Sequence, residues 1–317
     1  MIHNKLLELD GSYYEIGKKI GEEAGKSLHF QQVLALIKQY NFQQDSHEIR
    51  EKLTEWCPQL LDEIAGISDG LKISNESGLR LFAGYDMPKL EGMGCTSFCT
   101  QDYYVRNYDF SPQLFDNIFM VQHPVDGRML CGHSQLLLGR LDGMNENGLI
   151  IGLHFVNNNT YKKGFLCSTI TRIVLETCTT TEEAIELLGK LPHAASYNYS
   201  LLDRHGSMAI VEAAPSIQYV HRNTNYLIGT NMFYAQDLQP YNRANHDSSQ
   251  KRVEAIKNWE YIPSAEEVHE WFANTDSPVF YKDYDAFFGT LYTITYLPKV
   301  AQVIRTNMTG ETKSFTL

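Results

Sequence analysis

A cysteine that follows a glycine, with an arginine and an aspartate a short distance downstream, is the pattern in this sequence best suited to chemistry. Gly94 and Cys95 come first, and Arg106 and Asp109 follow. Glycine tolerates strained backbone geometry, and strain in the bond before Cys95 would help a thiol attack the Gly94 carbonyl. Hydrolysis of the resulting thioester would leave a thiol and an α-amine on one residue. Because an α-amine titrates near pH ~8, it can serve as a base at neutral pH.

Arg106 and Asp109 are the charged groups expected to tune this nucleophile. A guanidinium favours the thiolate of a nearby cysteine, and a carboxylate can hold the amine or ammonium. Residues 106 and 109 point to opposite faces of a regular strand, so both reach Cys95 only if the strand bends, bulges or ends between them. The competing interpretation is a buried, inert Cys95 beside an ordinary Arg106–Asp109 ion pair.

Other polar and aromatic residues are weaker candidates for the site. His133 could pair with a cysteine as in a papain-like thiolate, but no other residue completes such a triad. Asn198 is interpreted as a strand-edge or turn asparagine, with a second polar group of the site as the alternative. Six aromatic side chains suit either an acyl pocket or plain core packing: Tyr103, Tyr104, Phe115, Phe119, Phe233 and Tyr234.

The elements that would position these residues divide into a mainly helical first part, residues 1–94, and a mixed remainder. Residues 14–26 and 58–71 are predicted helices, because their apolar residues recur on one face. Residues 95–100 and 103–110 are predicted strands that carry Cys95 and the Arg106–Asp109 pair.

The order of later elements indicates the fold class. Asp142-Gly143 and Asn147-Gly148 are predicted turns, and Thr180 to Glu183 a capping box. The predicted strands are 118–123, 129–138, 149–155, 199–202, 208–213, 217–221 and 226–229, with a hairpin across 290–306. The predicted helices are 165–178, 180–190 and 248–259. This succession fits an α+β protein of stacked antiparallel sheets with flanking helices.

The composition excludes several classes of partner. Lys and Arg total 27 against 38 Asp and Glu, a formal net charge of -11, which disfavours binding to nucleic acid and to anionic membranes. No targeting or spanning segment is recognisable, so a cytoplasmic location is expected, with the six cysteines mostly reduced. No phosphate-binding loop or zinc motif is present, and we predict neither a cofactor nor a metal.

Taken together, these segments resemble the self-processing penicillin acyltransferase family of N-terminal nucleophile hydrolases. They are similar, more distantly, to choloylglycine hydrolases, penicillin V acylases and acid ceramidases. The resemblance covers most of the chain, and Gly-Cys-Thr-Ser-Phe with Arg-Asn-Tyr-Asp is its most specific part. The matching segments are residues 9–17, 63–70, 94–98, 106–109 and 143–149, with Thr230-Asn231 and Arg252.

The resemblance implies a role for each matching residue. Cys95 is nucleophile and, through its amine, base, and Arg106 and Asp109 position and tune it. The Asn231 side chain donates to the oxyanion, together with a backbone N–H near His154. The remaining residue, Arg252, organises the site electrostatically. His154 departs from the pattern of bile-salt hydrolases, which usually carry Asn there, and this makes substrate preference harder to infer.

The resemblance also implies a fold and an activity. The expected fold is a four-layer αββα sandwich, in which residues 1–94 remain as a helical subunit after self-cleavage and residues 95–317 form the catalytic region. The expected reaction is hydrolysis of a linear amide in an N-acylated small molecule. Acyl transfer to an amine through the same acyl-enzyme is the nearest alternative, and a non-maturing binding protein of the same fold is another. A homo-oligomer is compatible with all three.

Overall fold

The computed structural model describes residues 5–38, 44–87, 94–156, 160–286 and 288–317 as an α+β fold of two sheets and flanking helices. Residues 88–93, the end of the predicted N-terminal segment, lie outside the described residues. The helices are α1 (Tyr13–Gly25), α2 (Leu28–Lys38), α3 (Ser46–Trp56), α4 (Gln59–Gly70), α5 (Asn75–Phe82), α6 (Cys167–Thr177), α7 (Thr181–Leu188), α8 (Asp247–Lys257) and α9 (Ala265–Ala273).

The strands fall into two sheets. They are β1 (Lys5–Gly11), β2 (Gly94–Cys99), β3 (Tyr104–Phe110), β4 (Ile118–Pro124), β5 (Leu130–Gln135), β6 (Gly139–Arg140), β7 (Asp142–Asn145), β8 (Ile150–Phe155), β9 (Tyr197–Leu202), β10 (Met208–Ala214), β11 (Ile217–His221), β12 (Leu227–Gly229), β13 (Gly289–Leu297), β14 (Gln302–Asn307) and β15 (Thr312–Thr316). Within the described ranges, the larger sheet has the order β1-β4-β5-β7-β8-β9-β10-β11, with β6 paired to β5. The smaller sheet has the order β12-β2-β3-β13-β14-β15.

The two sheets pack face to face, and helices cover their outer faces. β2 of the smaller sheet lies on β8 and β9 of the larger one, and β12 lies on β9 and β10. Helices α1, α6 and α7 pack against the larger sheet, and α9 packs against β3 and β13. Both strands that carry the candidate nucleophile and its arginine, β2 and β3, are buried at every residue. The predicted four-layer αββα arrangement is therefore confirmed.

Glycines let α1 and α4 approach backbone to backbone. A Cβ on Gly17 would lie 2.1 Å from the Glu63 carbonyl oxygen, and one on Gly66 would lie 2.0 Å from the Tyr14 carbonyl oxygen. No side chain fits in such gaps, so the glycines in these segments set how closely the two helices pack. The resulting pair forms much of the outer layer contributed by the N-terminal part.

A buried polar network ties this N-terminal part to the rest of the molecule. Arg172 on α6 bonds Glu63 on α4, with 2.5 Å between Nη2 and Oε2, and also contacts Glu176. Tyr13 on α1 donates to Glu176 across 2.6 Å. Because these groups are buried, breaking any one link would leave an unsatisfied polar group.

Several sequence-based expectations need correction. The mainly helical first part also supplies β1, which pairs in parallel with β4, so the larger sheet is not wholly antiparallel. Asp142-Gly143 is not a turn but part of β7, because the Asp142 side chain is bonded inside the sandwich rather than to its own backbone. The predicted Thr180 cap is present, although the Glu183 carboxylate accepts from the Thr179 N–H instead of closing the box.

Among the described residues, none of the helices has both the length and the apolar character that crossing a bilayer requires.

Candidate active site

Pairing of β2 with β3 places Arg106 beside the sulfur of Cys95. In this ladder Cys95 lies opposite Tyr108 and Ser97 lies opposite Arg106, so all four side chains share the face toward the larger sheet. The Nη2 atom of Arg106 lies 3.1 Å from the Sγ atom of Cys95. Strand β2 runs through Gly94 and Cys95 without interruption, so this geometry is that of the uncleaved chain.

A fully buried carboxylate, Asp142, holds the Arg106 guanidinium in place. Asp142 accepts from Arg106 Nη1 at 2.5 Å, from Tyr292 at 2.5 Å, from Tyr296 at 2.7 Å and from His133 Nδ1 at 3.1 Å. Burial acts to raise the pKa of Asp142, but His133, Arg106 and Tyr292 outweigh burial and lower it. Asp142 is therefore ionised and neutralises Arg106.

The thiol of Cys95 has no exposed surface and is protonated in the uncleaved chain. Burial raises the pKa of Cys95 above its ordinary value, and the neighbouring Asp109 adds to that effect. Arg106 and Arg252 act in the opposite direction. A thiolate at this position therefore depends on the two guanidinium groups and on a base that removes the proton.

Asp109 lies beside Gly94, on the face of β3 opposite to that of Arg106. It lies opposite Gly94 in the β2–β3 ladder, and a Cβ on Gly94 would lie 3.2 Å from Asp109 Oδ2. Thr290 donates to Asp109 Oδ1 across 2.7 Å, whereas Oδ2 has no hydrogen-bond partner in the described part of the chain. Burial raises the pKa of Asp109 to about 6, although Arg252, Thr290 and Arg106 oppose this.

The two faces of β3 therefore contact different residues of the Gly94-Cys95 pair. Arg106 meets the sulfur on the inner face, and Asp109 meets residue 94 on the other face, so both approach Cys95 without a break in β3. The register shift next to Asp109 lies in β13, between Thr290 and Tyr292. The sequence predicted that both residues could reach Cys95 only if the strand bent, bulged or ended between them, whereas β3 is continuous and the two residues approach from its opposite faces.

The backbone of Cys95 is held by Asn231 and Arg252. The Cys95 N–H donates to Asn231 Oδ1 at 2.8 Å, and Asn231 Nδ2 donates to the Phe155 carbonyl at 2.9 Å. Arg252 Nη1 donates to the Cys95 carbonyl at 2.5 Å and to Thr96 Oγ1 at 2.7 Å. Arg252 Nη2 donates to Asn231 Oδ1 at 3.0 Å, which fixes the amide orientation. Sulfur, nitrogen and carbonyl oxygen of one residue therefore each have a polar partner.

The His154 side chain lies in a buried triangle with two serines. Its Nε2 atom lies 3.2 Å from Ser97 Oγ and 3.0 Å from Ser200 Oγ, and the two hydroxyls are 3.0 Å apart. Burial, then Arg106 and Arg252, lower the pKa of His154 well below its ordinary value, so the ring is neutral. Nδ1 is buried without a hydrogen-bond partner among the described residues.

The other candidates from the sequence serve elsewhere. His133 bonds Asp142 and stacks on Tyr292, and burial lowers its pKa to about 4, so it does not activate a cysteine. Phe115 and Phe119 pack against this histidine in the core. Of the remaining aromatic candidates, Tyr103, Tyr104 and Phe233 are buried, whereas Tyr234 is partly exposed.

Two polar residues of this region were missed or misassigned from the sequence. Asp142 lies in an Asp-Gly pair, which is a good turn signal, and nothing local indicates its link to Arg106. Asn198 is neither a turn nor an edge residue, because β9 lies between β8 and β10 and the side chain is buried. Its amide donates to the carbonyls of Thr230 and Met232.

Among the described residues, no three His, Cys, Asp or Glu side chains lie close enough together to bind a metal ion. Cavities also form elsewhere in the described part of the chain. One of about 810 Å³ is bordered by α2 and the start of β4, and its lining includes His29, Leu36 and Asp116.

Known structures give only weak similarity. A mutant of the conjugated bile acid hydrolase from Clostridium perfringens is 15% identical, covering 71% of this chain and 92% of that one, with a TM-score of 0.47. Penicillin V acylase from Agrobacterium tumefaciens is 14% identical, covering 71% and 86%, with a TM-score of 0.42. The Caenorhabditis elegans ortholog of N-acylethanolamine-hydrolyzing acid amidase is 15% identical, covering 65% and 93%, with a TM-score of 0.46. No curated protein sequence matches significantly.

A family model gives the decisive comparison. The model described as acyl-coenzyme A:6-aminopenicillanic acid acyl-transferase matches residues 97–307, which is more than half of the chain. The match includes Arg106, Asp109, His154, Asn231 and Arg252, and it begins just after Cys95. It confirms the acyltransferase family that the sequence was found to resemble. The chain belongs to the acyl-coenzyme A:6-aminopenicillanic acid acyl-transferase family.

Proposed function

We propose that this chain is a self-processing cysteine N-terminal nucleophile hydrolase that cleaves the C–N amide bond of an N-acylated small molecule through a thioester. The observation that carries the proposal is the convergence of three side chains on Cys95. Arg106 contacts its sulfur, Asn231 its nitrogen and Arg252 its carbonyl oxygen. An inert core cysteine needs none of these buried, charged partners.

Self-processing is the first step of the proposal. The Cys95 sulfur attacks the Gly94 carbonyl carbon, and the bond from that carbon to the Cys95 nitrogen breaks. The thiol proton is transferred to the departing nitrogen. Water then hydrolyses the thioester, which releases a carboxylate on Gly94 and restores the thiol. Asp109 Oδ2, beside Gly94, is placed to exchange a proton with the departing nitrogen and later to hold the ammonium.

Substrate turnover repeats this chemistry on an external amide. The free amine of Cys95 takes the thiol proton, and the sulfur attacks the amide carbonyl of the substrate. The proton then passes to the nitrogen of the leaving amine, and an acyl thioester remains on Cys95. Water hydrolyses this thioester, the acid leaves, and the amine and thiol are regenerated.

Two side chains have the chemistry to stabilise the charged states of this cycle. Asn231 Nδ2 carries two hydrogens, and one is bonded to the Phe155 carbonyl in the described structure. The second is the donor that we assign to the tetrahedral oxyanion, a contribution worth ~100–1000-fold in rate. Arg106, neutralised by Asp142, donates to the thiolate without adding net charge to the site.

Acyl transfer is the second candidate, because the matching family is named for an acyltransferase. In that case an amine rather than water attacks the thioester. The proteins with similar structures are described as acting on conjugated bile acids, penicillin V and N-acylethanolamines. We infer a substrate of the same general type for this chain, an acyl group on a small amine.

Intact mass measured under denaturing conditions tests the processing step. The intact chain has a mass of 36.2 kDa. We expect freshly purified protein to give two fragments that divide between Gly94 and Cys95, and Cys95→Ala to remain whole and inactive. A whole, active wild-type protein would refute the mechanism, and a whole, inactive one would support a binding protein of this fold.

A substrate screen then separates the two reactions. The processed protein is incubated with N-acyl amino acids, N-acylethanolamines and penicillin V, with and without an added amine. Release of free acid that is unaffected by the amine indicates hydrolysis. Formation of a new amide at the expense of free acid indicates acyl transfer.

A further inference from the structure

Asn198 holds both neighbours of Asn231 with one side chain. It lies near the start of β9, on the face toward the smaller sheet, and is 1% exposed. Its Nδ2 atom donates to the Thr230 carbonyl at 2.9 Å and to the Met232 carbonyl at 2.8 Å. The residue between these two carbonyls is Asn231, whose side chain contacts the Cys95 backbone.

We call these two hydrogen bonds from Asn198 Nδ2 the Asn198 clamp. They restrict the backbone on both sides of Asn231. The Thr230 carbonyl belongs to the peptide plane that enters Asn231, and the Met232 carbonyl lies one residue beyond it. With both oxygens fixed to one rigid, planar amide, the Cα–Cβ direction of Asn231 is also fixed. The 2.8 Å contact of Asn231 Oδ1 with the Cys95 nitrogen depends on that direction.

Asn198 belongs to a row of polar side chains that crosses the larger sheet beneath this segment. Its ladder partners are His154 on β8 and Glu212 on β10. Glu212 accepts from the backbone N–H groups of Tyr234 at 2.6 Å and Ala235 at 3.0 Å. Adjacent residues of the row therefore hold the segment that follows β12 by its carbonyls and by its N–H groups.

Stability alone does not account for an asparagine here. Asparagine is depleted in strands, and a buried amide is costly unless its groups are bonded. The Oδ1 atom of Asn198 has no partner among the described residues, so this amide is only half satisfied. The benefit of asparagine at this position is the two hydrogen bonds that Nδ2 donates, and both hold the residues on either side of Asn231.

We propose that Asn198 is a positioning residue that sets the Asn231 side chain against Cys95. It acts through Asn231 and does not touch the reacting atoms. The structural part of this proposal stands on the contacts alone, whereas its effect on turnover rests on the proposed function.

Hydrogen exchange tests the structural part without any activity. In a Cys95→Ala background, which keeps the chain uncleaved, the amide of residue 95 is bonded to Asn231 Oδ1 and should exchange slowly. Adding Asn198→Asp removes both donor bonds at constant shape. We expect exchange at residue 95 to accelerate about tenfold or more, the effect of weakening about one hydrogen bond.

Asn145→Asp is the matched control. Asn145 is equally buried, and its Nδ2 donates to the carbonyls of Leu175 at 3.0 Å and Cys178 at 2.9 Å, away from Cys95. We expect this variant to leave exchange at residue 95 unchanged. Equal exchange rates in the two variants would overturn the proposal. Should the Asn198→Asp variant not fold, Asn198→Ser, which keeps one donor, must still accelerate the exchange.

A double-mutant cycle tests the catalytic part in the processed enzyme. Asn198→Asp is expected to lower kcat with little change in KM, and to have almost no further effect once Asn231→Ala is present. Independent, additive losses would contradict action through Asn231. If wild-type protein has no amidase activity but the exchange result holds, the proposed function fails and the clamp stands.

Discussion

Arg106 and Asp142 form a fully buried ion pair directly behind the sulfur of Cys95, with 2.5 Å between Nη1 and Oδ2. The pair leaves Nη2 of Arg106 to donate to the sulfur and to the Leu153 carbonyl. Because Asp142 bonds one side of the guanidinium and the other side donates to Cys95, the group has a single orientation. The donor to the thiolate is therefore in place before any reaction begins.

Arg106→Gln should destabilise the protein as well as inactivate it. The change leaves the Asp142 carboxylate buried without its cation, and breaking a buried pair costs about 3–5 kcal/mol. Asp142→Asn combined with Arg106→Gln should recover part of this loss, because no uncompensated charge remains. Urea unfolding of Arg106→Gln, of Asp142→Asn and of the double variant measures the loss of unfolding free energy in each. Additive losses in the double variant would contradict the coupling.

Asn231→Ala should slow the chemistry far more than it changes the fold. It removes the oxyanion donor, an effect of ~100–1000-fold on kcat. Asn145→Ala is the control, since that asparagine is also buried but bonds the end of α6. Rates are compared on processed protein at equal folded concentration. A loss below about tenfold would exclude the oxyanion role, since removing one such donor costs far more than that.

Asp109 should make the stability of the uncleaved protein depend on pH. Its folded pKa of about 6 exceeds the ordinary value of 3.8, so the folded state binds the proton more tightly than the unfolded state. The stabilising contribution is present below pH 3.8 and is lost as the pH rises through about 6. A displacement of this size corresponds to about 3 kcal/mol. The side chain introduced by Asp109→Asn does not titrate, so the unfolding free energy of Cys95→Ala, relative to that of Cys95→Ala with Asp109→Asn, should fall by about this much between pH 4 and pH 7. A pH-independent difference would mean that the Asp109 pKa is not raised.

Gly94→Ala should slow self-processing by crowding the bond to be cut. An added Cβ would lie 2.9 Å from Phe288 Cζ and 3.2 Å from Asp109 Oδ2. The phenyl tip can move, but the added methyl group also crowds the Asp109 carboxylate, which we assign to the departing nitrogen, and would displace it. The time course of fragment appearance measures this. Phe288→Leu together with Gly94→Ala relieves only the contact with the ring and should restore little of the rate.

The N-terminal fragment should remain bound after cleavage. β1 is paired with β4 along its whole length, and Glu63 and Tyr13 bond buried partners on α6. Both fragments should therefore elute together in native size-exclusion chromatography and separate in denaturant. Glu63→Gln breaks the buried pair with Arg172 and should lower the denaturant concentration at which they separate. Spontaneous dissociation of the wild-type fragments in buffer would refute this expectation.

Local sequence pattern was enough to predict the candidate nucleophile, Cys95, and the two strands that carry it and its arginine, and it also indicated the family. Cys95, Arg106 and Asp109 lie in adjacent strands joined by a short connection, so their proximity is a local property that spacing and turn residues can reveal. The helical periodicity of residues 14–26 and 58–71 is local in the same sense. Asn231 and Arg252 came from the family pattern, because nothing near them in the chain indicates Cys95.

Tertiary structure alone decided how these groups are held. Asp142 neutralises Arg106 from the other sheet, although its Asp-Gly pair suggested a turn. Asn198 holds the segment around Asn231 from an inner strand, although the sequence favoured a strand-edge or turn asparagine. That Arg106 and Asp109 approach Gly94 and Cys95 from opposite faces of an unbroken β3 also required the pairing register. The physical reason is that a buried polar group is defined by partners that only sheet stacking brings within hydrogen-bond distance, and those partners have no fixed spacing along the chain.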